Sequence, residues 1–270
     1  MSGGVPHGFH AVCPATLYAR QCMCVAKRVF LMCEFCGAVS RRGFCGGVLA
    51  VALARPGRLL EPGLHVRSTG AGRSVAVTLD ACPGHFDPRV AAALVARGIP
   101  AVIFVTATWM QWNPQGLAYF LARPDIFDLQ NHGARHLPAV LGSTPVYGLA
   151  PAGTLEAIRA EVLDGAAAVQ KVTGKRPVWY RGAAGLYSPE AIPVIEALGF
   201  RVAGYSLNSD QGASLPAAIV ARRLEAARDG DVIEGHINQP HRDSGAGIAA
   251  GLAGLQAAGA RFVGLETAYG

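Results

Sequence analysis

Cysteine is almost absent from the greater part of this chain. Six of the seven cysteines fall within residues 1–54, and Cys82 stands alone after them. A disulfide framework is thereby excluded for the remainder, which must fold on its apolar core. A second CxxC is missing too: Cys33-Glu34-Phe35-Cys36 has zinc or redox spacing, but Cys22 and Cys24 form only CxC, so a four-thiolate module is incomplete. Charge is sparse, with 16% Asp, Glu, Lys and Arg and a net +6. Four of those six charges sit in residues 1–54, where Arg20, Lys27, Arg28, Arg41 and Arg42 face only Glu34. What remains is interspersed by sign, so there is no polyanion-binding patch and no nucleic-acid partner is expected. Internal repeats are lacking as well.

The basic N-terminal segment carries an address. Ser40-Arg41-Arg42-Gly43-Phe44 precedes an apolar run, 44–54, that ends in Ala52-Leu53-Ala54. This is a charged n-region, a short h-region and an A-x-A cleavage site. The run falls short of the ~20 apolar residues that span a bilayer, so no stable membrane insertion is expected after cleavage. Ser-Arg-Arg-x-Phe resembles a twin-arginine export signal. Residues 1–54 are therefore expected to be a leader and the protein to be exported, periplasmic or extracellular. Residues 55–72, rich in Gly, Pro and Arg, read as a linker or extended arm. The domain proper is expected over 73–270.

From residue 73 strands and helices alternate, which implies a parallel sheet. Val75-Ala76-Val77-Thr78-Leu79-Asp80 is an apolar strand that ends on a carboxylate, and Pro83-Gly84 turns the chain after it. Asp87-Pro88 opens a helix that Gly98 closes. Residues 101–105 form a continuous apolar strand, and 126–130 a shorter one. A Pro/Gly-rich loop over 138–153 precedes a helix over 154–173. Strands are expected at 178–180, 200–207, 231–233 and 261–265, with helices at 188–199, 216–228 and 248–258. The fold class is α/β, a barrel of about seven parallel strands.

Strand ends gather the polar residues. The first strand delivers Asp80, the third Asn131-His132-Gly133-Ala134-Arg135-His136, the fourth Arg181, the fifth Asn208 and Asp210, the sixth His236. Convergence on one carboxyl-terminal rim is the layout of a barrel active site. His132 and His136 are four apart, so a helical turn would set both imidazoles on one face for a metal. Trp109, Trp112, Tyr119, Trp179 and Tyr187 are candidate stacking platforms for sugar rings.

These motifs in this order resemble the polysaccharide deacetylases of the NodB-homology type, metal-dependent amide hydrolases on a distorted (β/α) barrel. Thr78-Leu79-Asp80-Ala81 resembles their Thr-Phe-Asp-Asp, and His132 to His136 their His-Ser/Thr-x-x-His. Tyr180-Arg181-Gly182-Ala183-Ala184-Gly185 is similar to their Arg-x-x-x-Gly motif, and Asp231 to His236 to their final strand ending in His. The resemblance implies that His132 and His136 hold a divalent cation, most often Zn2+. It implies that Asp80 is the base, that Arg181 orients it, and that His236 is the acid protonating the leaving amine. The substrate implied is an N-acetylated glycan of the cell envelope, from which acetyl or a similar small acyl group is removed. Two departures stand out. Ala81 occupies the place of a metal-binding Asp, and Glu234 that of an apolar pocket residue. Asp80, Cys82 and Asp87 are candidates for the third ligand; Asp80 is expected to contact the metal directly, and restoring a carboxylate at position 81 to tighten it. The alternatives are a glycan-binding pseudoenzyme and a related C–N hydrolase such as a deformylase.

Overall fold

The computed structural model describes residues 58–68, 70 and 72–270. The expected leader over 1–54 lies outside the described residues. In chain order the elements are β1 (His65–Val66), β2 (Ser74–Ala81), α1 (Pro88–Arg97), β3 (Ala101–Val105), α2 (Ala107–Trp112), α3 (Pro114–Leu121) and β4 (Phe127–Asn131). They continue with α4 (Leu155–Thr173), β5 (Trp179–Tyr180), α5 (Ala191–Ala197), β6 (Arg201–Val202), β7 (Leu207–Asn208) and α6 (Ala217–Glu225). The last are β8 (Val232–His236), α7 (Ser244–Ala257), β9 (Arg261–Val263) and β10 (Ala268–Tyr269).

Seven strands lie in the order β6-β5-β4-β3-β2-β8-β7, every pairing parallel, with β9 beside the start of β2. β6 and β7 are at opposite edges of this sheet, yet only residues 203–206 separate them. Five residue steps reach at most about 18 Å, whereas seven flat strands would set their edges roughly 29 Å apart. The sheet must therefore curl, and it forms a half-barrel clothed by helices. The single strand expected over 200–207 is thus two short ones. Gly204 lies in the segment between them, where an added Cβ would collide with the Pro62 carbonyl.

Strand β2 is buried along its whole length, and its alternation sorts two cores. Val75, Val77, Leu79 and Ala81 pack outward with Val90, Leu94, Ile248 and Leu252 of the helical layer. Ala76 packs inward with Val102, Phe104, Trp179 and Val232, and Thr78 and Asp80 follow on that same inner face. Removing a buried side chain such as Leu94 to Ala would cost about 2–5 kcal/mol.

Local signals place the helices. Asp87 caps α1 by accepting from the Arg89 N–H at 3.0 Å, and Gly98 ends it at φ 62°. Thr154 caps α4 by accepting from the Ala157 N–H at 3.1 Å. The helix expected from residue 188 starts only at Ala191, because Ser188 is engaged elsewhere. Its hydroxyl accepts from the Leu141 N–H at 2.9 Å, and α5 has no side-chain cap. Of the stretch expected as linker or arm, residues 60–66 dock on the domain. Leu60 bridges to Tyr187, and β1 pairs with β10 antiparallel. Leu64 and Val66 are buried.

Candidate active site

A cavity of about 850 Å³ opens where the strands end, lined among others by Asp80, Cys82, His132, His136, Arg181 and His236. The residues singled out for the metal and for catalysis, Asp80, His132, His136, Arg181 and His236, all come to this one rim. Among the described residues no helix is long and apolar enough to cross a membrane.

Arg181 is fully buried and serves two purposes. Its Nη1 donates to Asp80 Oδ1 at 2.8 Å, and Nη2 donates to Thr78 Oγ1 at 2.8 Å. Nε and Nη2 also donate to the Ala203 and Gly204 carbonyls, at 3.2 and 2.9 Å. Those carbonyls belong to the segment that links the two sheet edges, so the guanidinium seals the barrel's seam and fixes Asp80 together. Burial would raise the Asp80 carboxyl, but Arg181, then His132 and His236, outweigh it and hold it below its ordinary range. Asp80 is thus a carboxylate at neutral pH.

The two metal-candidate histidines meet by a route other than a helical turn. Residues 132–136 are a loop, with Gly133 at φ 88° and His136 at φ 66°, and the ring centroids lie 5.0 Å apart. Two residues that the sequence reading passed over hold this loop. Buried Asn131 accepts from the Gly133 N–H at 2.9 Å. Buried Glu161, on α4, accepts from the N–H groups of Arg135 and Leu137 at 2.8 and 3.1 Å. Gly165 lets α4 approach, since a Cβ there would fall 2.5 Å from the Gly133 carbonyl carbon. Glu161 gives no local signal in sequence beyond being an acid on a helix.

His132 Nδ1 lies 2.7 Å from the Arg181 carbonyl. A carbonyl only accepts, so Nδ1 is an N–H donor and Nε2 is the nitrogen that faces Cys82, 3.3 Å away. Burial would lower His132, but Asp80 and Cys82 outweigh it and raise it to about 9, so in the free site a proton stands where a cation would bind. His136 Nε2 is buried and has no hydrogen-bond partner. Cys82, His132 and His136 each offer one ligand atom, all within 4.8 Å of one another; Asp80, Cys82 and His236 form a second such group. Asp80 Oδ2 is 3.8 Å from His132 Nε2. An orphaned imidazole nitrogen beside a thiol and a second imidazole suits a divalent cation of borderline softness, so the residues fit a metal.

On the neighbouring strand β8, whose His236 pairs with Asp80, His236 Nδ1 lies 2.9 Å from buried Asp210 Oδ1, and the His236 N–H donates to Asp210 Oδ2 at 2.8 Å. Glu234 Oε1 is 3.3 Å from the same Nδ1. Burial would lower His236, but Glu234 and Asp210 reverse this and hold it well above its ordinary range. Burial pushes Glu234 up to about 8, with Asp210 and Asp80 adding to it and His236 opposing. Its Oε2 is buried without a partner. His236 is thus held protonated at neutral pH, and burial keeps Glu234 a weakened acid beside it.

The family model described as Polysaccharide deacetylase matches residues 67–203. The chain belongs to the polysaccharide deacetylase family. Solved structures agree with this in fold. A peptidoglycan N-acetylglucosamine deacetylase, Bc1960, aligns with TM-score 0.61 at 18% identity, covering 74% of this chain and 89% of that one. Bacillus subtilis PdaA, a family 4 carbohydrate esterase, aligns with TM-score 0.59 at 18% identity, covering 74% and 81%. A CE4 family pseudoenzyme from Bacillus anthracis aligns with TM-score 0.57 at 14% identity, covering 71% of this chain and 63% of that one. This deacetylase-family chain thus spans less than two thirds of that pseudoenzyme. No curated protein matches it by sequence.

Position 81 behaves differently from the sequence expectation. Ala81 is fully buried among the outward apolar residues of β2 and does not line the cavity. A carboxylate there would have to be taken in among buried apolar neighbours, which costs stability. The aromatic candidates separate as well. Trp109, Trp179 and Tyr187 are core, and Trp112 and Tyr119 line a different depression. The cavity's own aromatics are Tyr147, 82% exposed at its mouth, and Tyr205, which donates to Glu61.

Proposed function

We propose that this chain is an exported, metal-dependent hydrolase that removes N-acetyl, or a similar small acyl group, from an amino sugar of a cell-envelope glycan. One observation carries the reading: a carboxylate held ionised by Arg181 and an imidazole held protonated by Glu234 and Asp210 share one rim with the His132–His136 pair. Base and acid in opposite protonation states are what amide hydrolysis needs near neutrality. The cavity of about 850 Å³ is within the range for a sugar-sized ligand.

His132 and His136 would hold the divalent cation, zinc foremost. When bound, such a cation polarises the scissile carbonyl and acidifies an attacking water. Asp80 Oδ2, the oxygen not taken by Arg181, receives the proton of that water. Arg181 keeps the carboxylate aimed and ionised. His236 donates from Nε2 to the departing amine, since Nδ1 is engaged by Asp210. Tyr147 at the mouth offers a stacking face for a sugar ring.

The neighbours named for peptidoglycan deacetylation support a cell-wall glycan as substrate, and the Ser40-Arg41-Arg42 signal supports export. A second reading, a glycan-binding pseudoenzyme, is favoured by Ala81 and by the pseudoenzyme among the neighbours. The deciding experiment incubates the zinc-loaded full chain with N-acetylglucosamine oligomers and with peptidoglycan and measures free acetate. Acetate release that His236→Ala abolishes is expected. Glycan binding with no release would replace the hydrolase by the pseudoenzyme.

A further inference from the structure

We propose that Cys82 supplies the third protein ligand, so that the chain carries a Cys-His-His centre for a thiophilic divalent cation. This rests on the metal reading above but goes beyond the two histidines. Four observations carry it. Cys82 Sγ is 3.3 Å from His132 Nε2, and zinc with one thiolate and two imidazoles would set donor-to-donor edges of roughly 3.3–3.6 Å. The three donor atoms form one group within 4.8 Å, and none of the groups containing Asp80 includes both histidines. His136 Nε2 is buried and unpartnered, so a cation between Sγ and the rings would satisfy it. Finally, the Cys82 backbone is fixed: buried Asn238 donates its amide to the carbonyls of Cys82 and Pro83 at 3.0 and 3.2 Å.

The strand register explains why the ligand sits one residue late. Ala81 faces the helical layer, and Cys82 is the first residue past β2 that lines the cavity. Asp80, one position earlier on the inner face, has Oδ1 committed to Arg181. The expectation that Asp80 itself is the ligand is thus replaced in this proposal, and Asp80 keeps the role of base alone. Asp87 is no contender, since both its oxygens are taken by Arg89. On binding, Cys82 Sγ and His132 Nε2 both bond to the cation and the proton held between them passes to solvent, so uptake releases one proton from this pair.

The test loads the full chain with cobalt(II) and reads the near-ultraviolet thiolate-to-cobalt charge-transfer band. Wild type should show the band, and Cys82→Ser should lose it. Zinc affinity should fall by more than the about 10–100-fold that loss of an outer-shell partner costs. Zinc should also shield Cys82 of the unsubstituted protein from iodoacetamide, read by peptide mass mapping, which requires no variant to fold. An undiminished band and affinity in Cys82→Ser, or alkylation of Cys82 indifferent to zinc, overturns the proposal. His136→Ala separates the two levels. If it loses zinc where Cys82→Ser does not, the histidine site stands with another third ligand. If both bind like wild type, the cation sits elsewhere, with Cys33 and Cys36 the first residues to examine, and both readings fall.

Discussion

Asp210→Asn is the substitution that most directly probes the acid side of the site. Asp210 uses both oxygens as acceptors, Oδ1 toward His236 Nδ1 at 2.9 Å and the Ala213 N–H at 3.1 Å, Oδ2 from the His236 N–H at 2.8 Å. Asparagine has one acceptor oxygen, and either orientation of its amide sets an NH2 against a buried N–H. The unpaired donor alone costs about 1–3 kcal/mol. The imidazolium also loses a charge-assisted hydrogen bond of about 1.5–3 kcal/mol, which at 1.36 kcal/mol per unit lowers the His236 pKa by roughly one to two units. The acid must be protonated to work, so activity falls as pH rises through that pKa. The alkaline limb of kcat should therefore move down by about that amount, while the acidic limb, set by Asp80, stays. Turnover at the optimum should fall, but by less than the about 10²–10⁴-fold that loss of the whole general acid costs, because the imidazole remains. The assay is acetate release as a function of pH, with folding checked by urea denaturation. A folded variant with wild-type turnover and an unmoved alkaline limb would refute the dyad.

His236→Ala should reduce turnover by about 10²–10⁴-fold and leave zinc affinity and glycan binding near wild type; isothermal titration against both ligands checks the split. Glu161→Ala leaves the Arg135 and Leu137 N–H groups without their acceptor, so zinc affinity should fall about 10–100-fold while helical circular dichroism persists. Glu234, raised from its ordinary 4.5 to about 8, binds more protons folded than unfolded between those values. Its contribution is present at acid pH and is lost as pH rises toward about 8, so Glu234→Gln should flatten the fall in stability from about pH 5 to about pH 8. Urea midpoints across that range measure it, and an unchanged slope would remove Glu234 from the titration.

The fold was legible because each strand carries its own signal. The apolar runs around Leu79 and Ile103, the Asp87-Pro88 start and the Gly98 and Gly174 stops are local features. The same holds for Asp80, His132, Arg181 and His236, each at or just past a strand end. What stayed hidden depends on long-range geometry. That Asp210 meets His236, or that Glu161 ties the loop of His136, is decided by how α4 and β7 pack. The break over residues 203–206 follows from the curl of the sheet, which no window of sequence encodes. Period-2 alternation does place Ala81 outward once Asp80 is known to face in; motif matching obscured this by treating both positions as rim.

Arg181 gives the fold an unusual coupling. One guanidinium holds the segment that bridges the sheet's two edges and also sets the charge of the residue proposed to begin the chemistry. Lysine could keep the positive charge but not the fork, so it would satisfy Asp80 or the seam and not both. Sequence drift at this position is therefore barred on two counts at once. A descendant of this chain that abandoned catalysis would still need the arginine to keep its shape, so Arg181 would outlast Cys82, His136 and His236 in any lineage sliding toward a binding role. Its survival in a sequence would testify to the barrel and not to the reaction.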